Sequence, residues 1–138
     1  MSGRSRVRDE RGANVLELAI IAPTLMALTF LLIQTALFLF GRAAALNAAE
    51  QGVSDLRLIQ PRVYQPDMCA TFETNVETRA AKIAGNTLLE PRATCTYDAK
   101  DGIVSIKVEG HAVSLVPGLT FHTERTATGP IETFEADK

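Results

Sequence analysis

Residues 18–41 read LAIIAPTLMALTFLLIQTALFLFG, a run of 24 residues without a charged side chain. As an α-helix this run would be about 36 Å long, which is enough to cross a hydrocarbon core of roughly 30 Å. The sequence therefore predicts a transmembrane helix over residues 13–41. A cleaved secretory signal is the alternative, because Ala43, Ala44 and Ala45 imitate a cleavage site, although the apolar part of such signals is normally about 7–15 residues long.

The residues on either side of the span predict its orientation and the division of the chain. Residues 1–12 contain four arginines, and basic residues before a span hold that end in the cytoplasm. We expect the helix to continue as an extracytoplasmic extension over residues 42–60 and to end before Pro61. Residues 61–138 are then predicted to form an extracytoplasmic α+β domain.

Small side chains recur every four residues along the expected extension. They allow the close approach of another helix, or they reflect the high helix propensity of alanine. The two series are Gly41, Ala45, Ala49 and Ala44, Ala48, Gly52.

The overall charge bears on the class of partner. The formal net charge is −2, and no basic stripe occurs beyond the first eleven residues. Binding of nucleic acid through bulk charge is therefore disfavoured, whereas membrane lipid is the expected partner of the apolar helix.

Two residues near the start of the apolar run need a physical explanation. Glu17 would cost roughly 2.5 kcal/mol or more if its unpaired carboxylate lay deep in the bilayer. It either reaches the cytoplasmic headgroups or is neutralised by a cation from another chain or from a new amino terminus. Pro23 lacks an amide hydrogen and frees the carbonyl of Ala19, which predicts a kink or a loosened helix at that point.

Residues 11–23, RGANVLELAIIAP, carry these features in a recognisable order. An Arg-Gly pair is followed by small residues, by Glu17 five positions after Gly12, and by Pro23 six positions after Glu17. This pattern resembles the amino-terminal signature of the TadE-like family, the minor pilins or pseudopilins of tight-adherence (Tad/Flp) pilus systems. The strong resemblance covers residues 11–52, and the rest of the chain is similar to the family in size and in the order of its elements.

The resemblance implies a processing step and a function. In prepilins a membrane aspartyl peptidase cleaves after the glycine, so the cut would fall between Gly12 and Ala13 and would leave Glu17 fifth in the mature chain. The new α-amino group, protonated below about pH 8, would pair with Glu17 of a neighbouring subunit. The implied function is assembly of an adhesive pilus, and the implied partners are the prepilin peptidase, other pilins or pseudopilins, and pilus assembly platform proteins. The implied location is the cytoplasmic membrane, from which the chain would enter a surface pilus.

The outer domain is predicted to contain a second helix followed by three strands. Apolar residues at three- and four-residue spacing predict an amphipathic helix over residues 71–89 that ends near Pro91. Alternating residues then predict a small antiparallel sheet of about three strands, with one face covered by the helices. The residues expected to face inward are Ala93, Cys95 and Tyr97, then Val104, Ile106 and Val108, then Leu119, Phe121 and Thr123.

Two local features of the sheet follow from the residue types. Asp101-Gly102 is a hairpin signal between the first two strands. Val113 and Leu115 have the opposite parity to the inward residues before them, and a β-bulge or bend around Gly110 would return them to the inner face.

The two cysteines both follow the apolar run. Cys69 lies just before the second helix and Cys95 on the inner face of the first strand. We predict that they form a disulfide, because a domain this small often needs a covalent link. A closed loop of about 25 residues would add about 3 kcal/mol in the chain-entropy model, and the bond would persist only outside the cytoplasm. The alternative is a pair of buried free thiols.

Side chains that could support catalysis or metal binding do not form a recognised pattern. His111 and His122 have no cysteine or carboxylate at metal-ligand spacing and are interpreted as surface residues of strands. Glu73, Glu77 and Glu90 are interleaved with basic residues, which is typical of a solvated helix face. We therefore expect no catalytic residues, no cofactor and no metal. The alternative to a pilin is an unprocessed, single-span, membrane-anchored module that binds an extracytoplasmic ligand.

Overall fold

The computed structural model describes residues 6–58, 66–98 and 100–131, with side chains described from Val15 in the first range and from Cys69 in the second. It contains two helices and a three-stranded antiparallel sheet, which confirms the predicted α+β class. The elements are α1 (Arg6–Arg57), α2 (Pro66–Ala84), β1 (Leu88–Asp98), β2 (Ile103–Ala112) and β3 (Phe121–Pro130). The chain divides into two compact units, Met1–Thr35 and Ala36–Lys138.

The first unit contains most of the apolar part of α1, which continues as a helix on both sides of Pro23. Among the described residues, Val15–Arg57 is the one helical segment long and apolar enough to cross a membrane; its most apolar window has a mean hydropathy of 2.2 and is not buried. The hydroxyls of Thr24, Thr29 and Thr35 each donate to the carbonyl oxygen four residues earlier, at 3.2, 2.9 and 2.9 Å. These hydroxyls are therefore satisfied within the helix, as apolar surroundings require.

The second unit has its core between residues 44–56 of α1, α2 and the inner face of the sheet. The α1 face of this core is built largely of alanine, and Ala45, Ala48 and Ala49 are completely buried. Small side chains let the helix approach its neighbours closely, so burial here depends on many short contacts. The buried apolar residues that form this cluster are Ala44, Ala45, Ala48, Ala49, Val53, Leu56, Val76, Ala80, Ala84, Leu88, Ala93, Val104, Ile106, Val108 and Ile131.

Gly52 lies where α1 approaches the rest of the core closely. A Cβ atom at this position would lie 2.5 Å from Val76 Cγ2 and 2.8 Å from Ile106 Cδ1, well inside normal contact distance. Gly41 is similarly close to the turn before β1, since its Cβ would lie 3.2 Å from the Thr87 carbonyl oxygen. Of the two explanations for the small-residue series, close approach is therefore the one observed, and it serves packing within this chain.

The sheet has the order β1-β2-β3 and is antiparallel throughout. The Asp101-Gly102 hairpin is confirmed, with Gly102 at φ +61°, in the left-handed region that this turn requires. Val104, Ile106 and Val108 are buried as predicted, and Thr123 is the buried polar residue of the inner face.

The predicted second helix is wrong at both ends. α2 begins at Pro66 rather than at residue 71, so Cys69 lies inside the helix and not just before it. α2 ends at Ala84 rather than near Pro91, because Gly85 adopts φ +55° and its N–H donates to the Ala81 carbonyl oxygen at 2.9 Å, which caps the helix. Leu88 lies in β1 and is buried there. In the sequence it falls at the spacing of the next apolar residue of a helix, which explains the predicted extension. Pro91 instead lies inside β1, where the pairing with β2 shifts between Leu89 and Arg92.

The irregularity expected around Gly110 lies in the facing strand and not in β2. Leu89 pairs with His111 and Arg92 with Glu109, so the extra residues of β1 lie opposite Gly110. β2 pairs with β3 without interruption from Ile103 to Ala112, and Gly110 is buried beneath Leu88. A Cβ at Gly110 would lie 2.8 Å from Leu88 Cδ1, so the glycine provides close approach and not a change of parity. Val113 and Leu115 lie beyond the end of β2 and do not return to the core.

Leu119, which was expected to face inward at the start of the last strand, precedes β3 and is 47% exposed.

Candidate functional site

The first candidate site is the beginning of α1. The Gly12–Ala13 bond lies within the helix, and the surroundings of both residues fall outside the described part. Glu17 is exposed and lies between Leu16 and Leu18, which are 67% and 65% exposed. No described side chain pairs with its carboxylate. A carboxylate on an uncovered apolar helix can be neutralised there by a cation from another molecule.

The second candidate site is the line of contacts between α2 and the outer edge of β1. Cys69 and Cys95 form the predicted disulfide, with their Cα atoms 5.5 Å apart. One turn further along α2, Glu73 Oε1 accepts a hydrogen bond from the backbone N–H of Cys95 at 2.7 Å. After another turn, Glu77 Oε1 accepts from the N–H of Ala93 at 2.9 Å. Three side chains at four-residue spacing thus attach the helix to the strand.

These contacts correct the interpretation of Glu73 and Glu77 as a solvated face, and Glu90 lies on β1 rather than on a helix. An outer strand leaves every second N–H without a ladder partner, and charged acceptors satisfy such donors more strongly than neutral ones. The four-residue spacing from Cys69 was the available signal. It was missed because glutamates interleaved with Arg79 and Lys82 also fit an exposed face.

A shallow groove of about 250 Å³ lies where the end of α1 meets α2. Arg79 Nη1 lies 2.8 Å from Asp55 Oδ2 and donates a longer hydrogen bond of 3.4 Å to Gln51 Oε1. Both members of the ion pair are substantially exposed, so the pair adds little stability. The groove is lined by Asp55, Phe72, Asn75, Val76, Thr78, Arg79 and Lys82.

The outer face of the sheet carries a network of charges between β2 and β3. Lys107 Nζ lies 3.0 Å from Glu109 Oε2 and 3.6 Å from Glu124 Oε2, and His122 Nε2 lies 3.9 Å from Glu124. The hydrogen bond and the charge of Glu109 raise the pKa of Lys107, and the same contact with Lys107 lowers the pKa of Glu109. The rings of His111 and His122 meet edge to face at 5.6 Å.

This network corrects the expectation that no carboxylate lies near a histidine at metal-ligand spacing. Potential ligand atoms of Glu109, His122 and Glu124 lie within 4.8 Å of one another. They come from two strands, which the linear spacing could not reveal. The ammonium group of Lys107 already pairs with both carboxylates, so the arrangement is that of an exposed ion-pair network.

Comparison with known proteins identifies one similarity. The family model described as TadE-like protein matches residues 12–54. No curated protein and no solved structure matches the chain. The matched segment begins at Gly12, contains Glu17 and Pro23, and ends at Ser54 within the part of α1 that lines the core. The resemblance noted in the sequence is therefore confirmed for this segment.

Proposed function

From the TadE-like segment at residues 12–54, we propose that this protein is a minor pilin or pseudopilin that a prepilin peptidase processes and that acts in assembly of an adhesive tight-adherence (Flp-type) pilus. The family similarity supports a pilin-like protein associated with this pilus and with pilus-related protein partners, and the family is structural rather than enzymatic. The observation that carries the finer proposal is Glu17. It is an exposed carboxylate on an otherwise apolar helix, five residues after the glycine at which the family match begins.

Cleavage between Gly12 and Ala13 gives Glu17 its missing partner. The cut creates an α-amino group, which carries a positive charge below about pH 8. In apolar surroundings two separate charges are costly, and a pair formed between subunits lowers that cost. The cut also removes the arginines of residues 1–12, which otherwise hold the helix start at the cytoplasmic surface. Processing thus supplies both a bond between subunits and freedom to leave the bilayer, with Pro23 proposed as the point where α1 adapts to its neighbours.

The location proposed is a single pass through the cytoplasmic membrane, with residues 1–12 inside and residues 61–138 outside. The long, uncovered apolar helix supports a membrane anchor. The Cys69–Cys95 disulfide supports the orientation, because such bonds persist in oxidising compartments.

Burial of the alanine cluster argues against release of the outer domain by cleavage near Ala45. Ala44 is 2% exposed and Ala45 is completely buried in the core of the second unit. A cut at this point would separate a turn of α1 from the sheet and α2. An intact helix is more consistent with the packing.

The decisive experiment is amino-terminal sequencing of the mature protein from cells with and without the prepilin peptidase. We expect a start at Ala13 when the peptidase is present and retention of residues 1–12 when it is deleted. Gly12→Leu should block the conversion, whereas Gly3→Leu, a matched change within the leader, should not. An unprocessed chain in cells that contain an active peptidase would refute the proposal and favour the anchored binding module.

A second experiment tests the carboxylate separately from the cut. Glu17→Gln removes the charge and should leave cleavage and the folded outer domain intact while reducing the number of assembled pili. Glu50→Gln changes an exposed glutamate of the same helix and serves as the control. Normal pilus numbers in both variants would exclude an assembly role for Glu17.

A further inference from the structure

We propose that the β2–β3 loop, residues 113–120, inserts into the outer interface of the bilayer that α1 crosses, as a second contact with lipid. Its apolar side chains point away from the core: Leu115 is 43% exposed, Val116 40% and Leu119 47%. No charged residue occurs between Ala112 and Phe121. The inference rests on membrane anchoring through α1 and does not depend on processing at Gly12.

The tip of the loop is held in a defined conformation. The N–H of Leu119 donates to the Val116 carbonyl oxygen at 3.2 Å, with Pro117 second in the turn and Gly118 third at φ +81°. These are the features of a type II turn, in which glycine accommodates the positive φ. The N–H of Val116 also donates to Ser114 Oγ at 3.1 Å. Because the tip is already ordered, its insertion would cost little conformational entropy.

The loop begins and ends at the level where the apolar run of α1 ends. The ring of Phe121, directly after the loop, meets the ring of Phe38 edge to face at 6.1 Å. At the other end of the loop, a Cβ on Gly41 would lie 3.5 Å from Ala112 Cβ. Both α1 residues belong to the last turn of the charge-free run at residues 18–41.

Helix length places this level at the outer boundary of the hydrocarbon core. The charge-free run measures about 36 Å against a core of roughly 30 Å, so its last turn lies at the headgroup boundary. Leu39 and Phe40 are 54% and 53% exposed there, and the loop adds further apolar surface at the same height. The guanidinium carbon of Arg42 lies 5.7 Å from the centre of the Phe38 ring. An apolar surface bordered by a basic side chain matches the boundary between acyl chains and headgroups, where arginine side chains near helix ends extend to the polar region.

The size of the surface favours lipid over a second copy of the chain. A stable protein interface needs about 800 Å² from each partner, and three half-exposed aliphatic side chains provide only a small part of that area. Lipid requires no matching shape and can cover an isolated apolar tip.

Fluorescence of an introduced tryptophan tests the proposal, because the chain contains none. Val116→Trp places the probe at the loop tip. Thr128→Trp is the matched control, on the exposed face of β3 near the opposite end of the sheet. Both full-length variants are reconstituted into vesicles of zwitterionic and anionic phospholipid, with and without brominated acyl chains.

We expect the emission of the Val116→Trp variant to shift to shorter wavelength and to be quenched by the brominated lipid, with neither change in the control. Equal quenching of both probes by aqueous acrylamide would overturn the proposal. Protection from acrylamide without quenching by brominated lipid would also overturn it, since another protein copy would then cover the loop. Failure of the chain to remain with the vesicles would instead contradict the membrane anchor on which the proposal rests. None of these outcomes bears on the proposed processing at Gly12, which the amino-terminal sequencing tests separately.

Discussion

Replacing Gly52 with alanine tests whether the close approach of α1 determines the packing of the outer domain. In an exposed helix the change would stabilise by about 1 kcal/mol, because glycine is the poorer helix former. In this helix the new Cβ would lie 2.5 Å from Val76 Cγ2 and 2.8 Å from Ile106 Cδ1. The end of Ile106 can rotate away, but valine in a helix has one strongly preferred rotamer and cannot.

Steric overlap should therefore exceed the gain in helix propensity. Overpacking of a core costs about 1–3 kcal/mol, and two contacts below 3.0 Å place this site in the upper half of that range. After subtraction of the propensity term, we expect Gly52→Ala to lower the free energy of unfolding by about 1–2 kcal/mol.

The assay is urea unfolding of the full-length protein in detergent, followed by circular dichroism. Ser54→Ala, an exposed change two residues away, is the control and should alter stability by less than about 0.5 kcal/mol. Val76→Ala destabilises by itself but removes the clashing methyl groups, so its cost should be smaller in the Gly52→Ala background than in the wild type. A Gly52→Ala variant as stable as the wild type would refute the reasoning, because α1 could then shift away from α2 without loss.

Three further predictions concern the charged and covalent contacts of the outer domain. Glu77→Ala should cost about 1–3 kcal/mol by leaving the N–H of Ala93 without its charged acceptor, and Glu77→Gln, which retains an acceptor oxygen, should cost less in the same urea assay. Cys69→Ala should cost about 2–4 kcal/mol through loss of the disulfide, and adding a reductant should then cause no further loss; a further loss would contradict the assignment. Lys107→Gln should raise the pKa of Glu109 toward its ordinary value in a carboxyl NMR titration, since the contact with Lys107 holds this pKa low. In the wild type the contact stabilises the folded protein at pH values above the pKa of Glu109 in the unfolded chain. Its small contribution is lost as the pH falls through the pKa of Glu109 in the folded protein.

The sequence predicted the parts of the fold that depend on local chemistry. The charge-free run specified the long apolar helix, and Asp101-Gly102 specified the hairpin. The alternation of Val104, Ile106 and Val108 identified the inner face of β2, because each of these signals is contained within a few neighbouring residues.

The errors came from residues whose function depends on partners distant in the sequence. Glu73 and Glu77 looked solvated because their acceptor role requires N–H groups of β1, which lie 22 and 16 residues away along the chain, respectively. Leu88 lengthened the predicted helix because a buried apolar residue looks the same in the sequence whether it lies on a strand or on a helix. Gly110 suggested a bulge in its own strand, whereas the extra residues lie in β1 opposite it, and its absent side chain makes room for Leu88.

The start of α1 could be interpreted only through the family pattern. Physical chemistry identifies Glu17 as a carboxylate that needs a cation, whereas the proposed cleavage at Gly12 rests on the family pattern, since peptidase recognition is a property of another protein. The TadE-like match at residues 12–54 supports the resemblance itself.

The contacts of Glu73 and Glu77 with β1 make this edge of the sheet less able than the opposite edge to pair with a second copy of the chain. The outward N–H groups of Ala93 and Cys95 already have acceptors, so this side offers no donors at these positions to an approaching strand. Within the described part of the chain, β3 is the other outer strand. If two copies paired along β3, the β1 edge of each copy would face outward and would already be covered by α2. A third copy could therefore not add by pairing along β3. Edge-to-edge pairing of sheets at high expression would therefore stop at a dimer, whereas a sheet with two open edges could grow into a fibre.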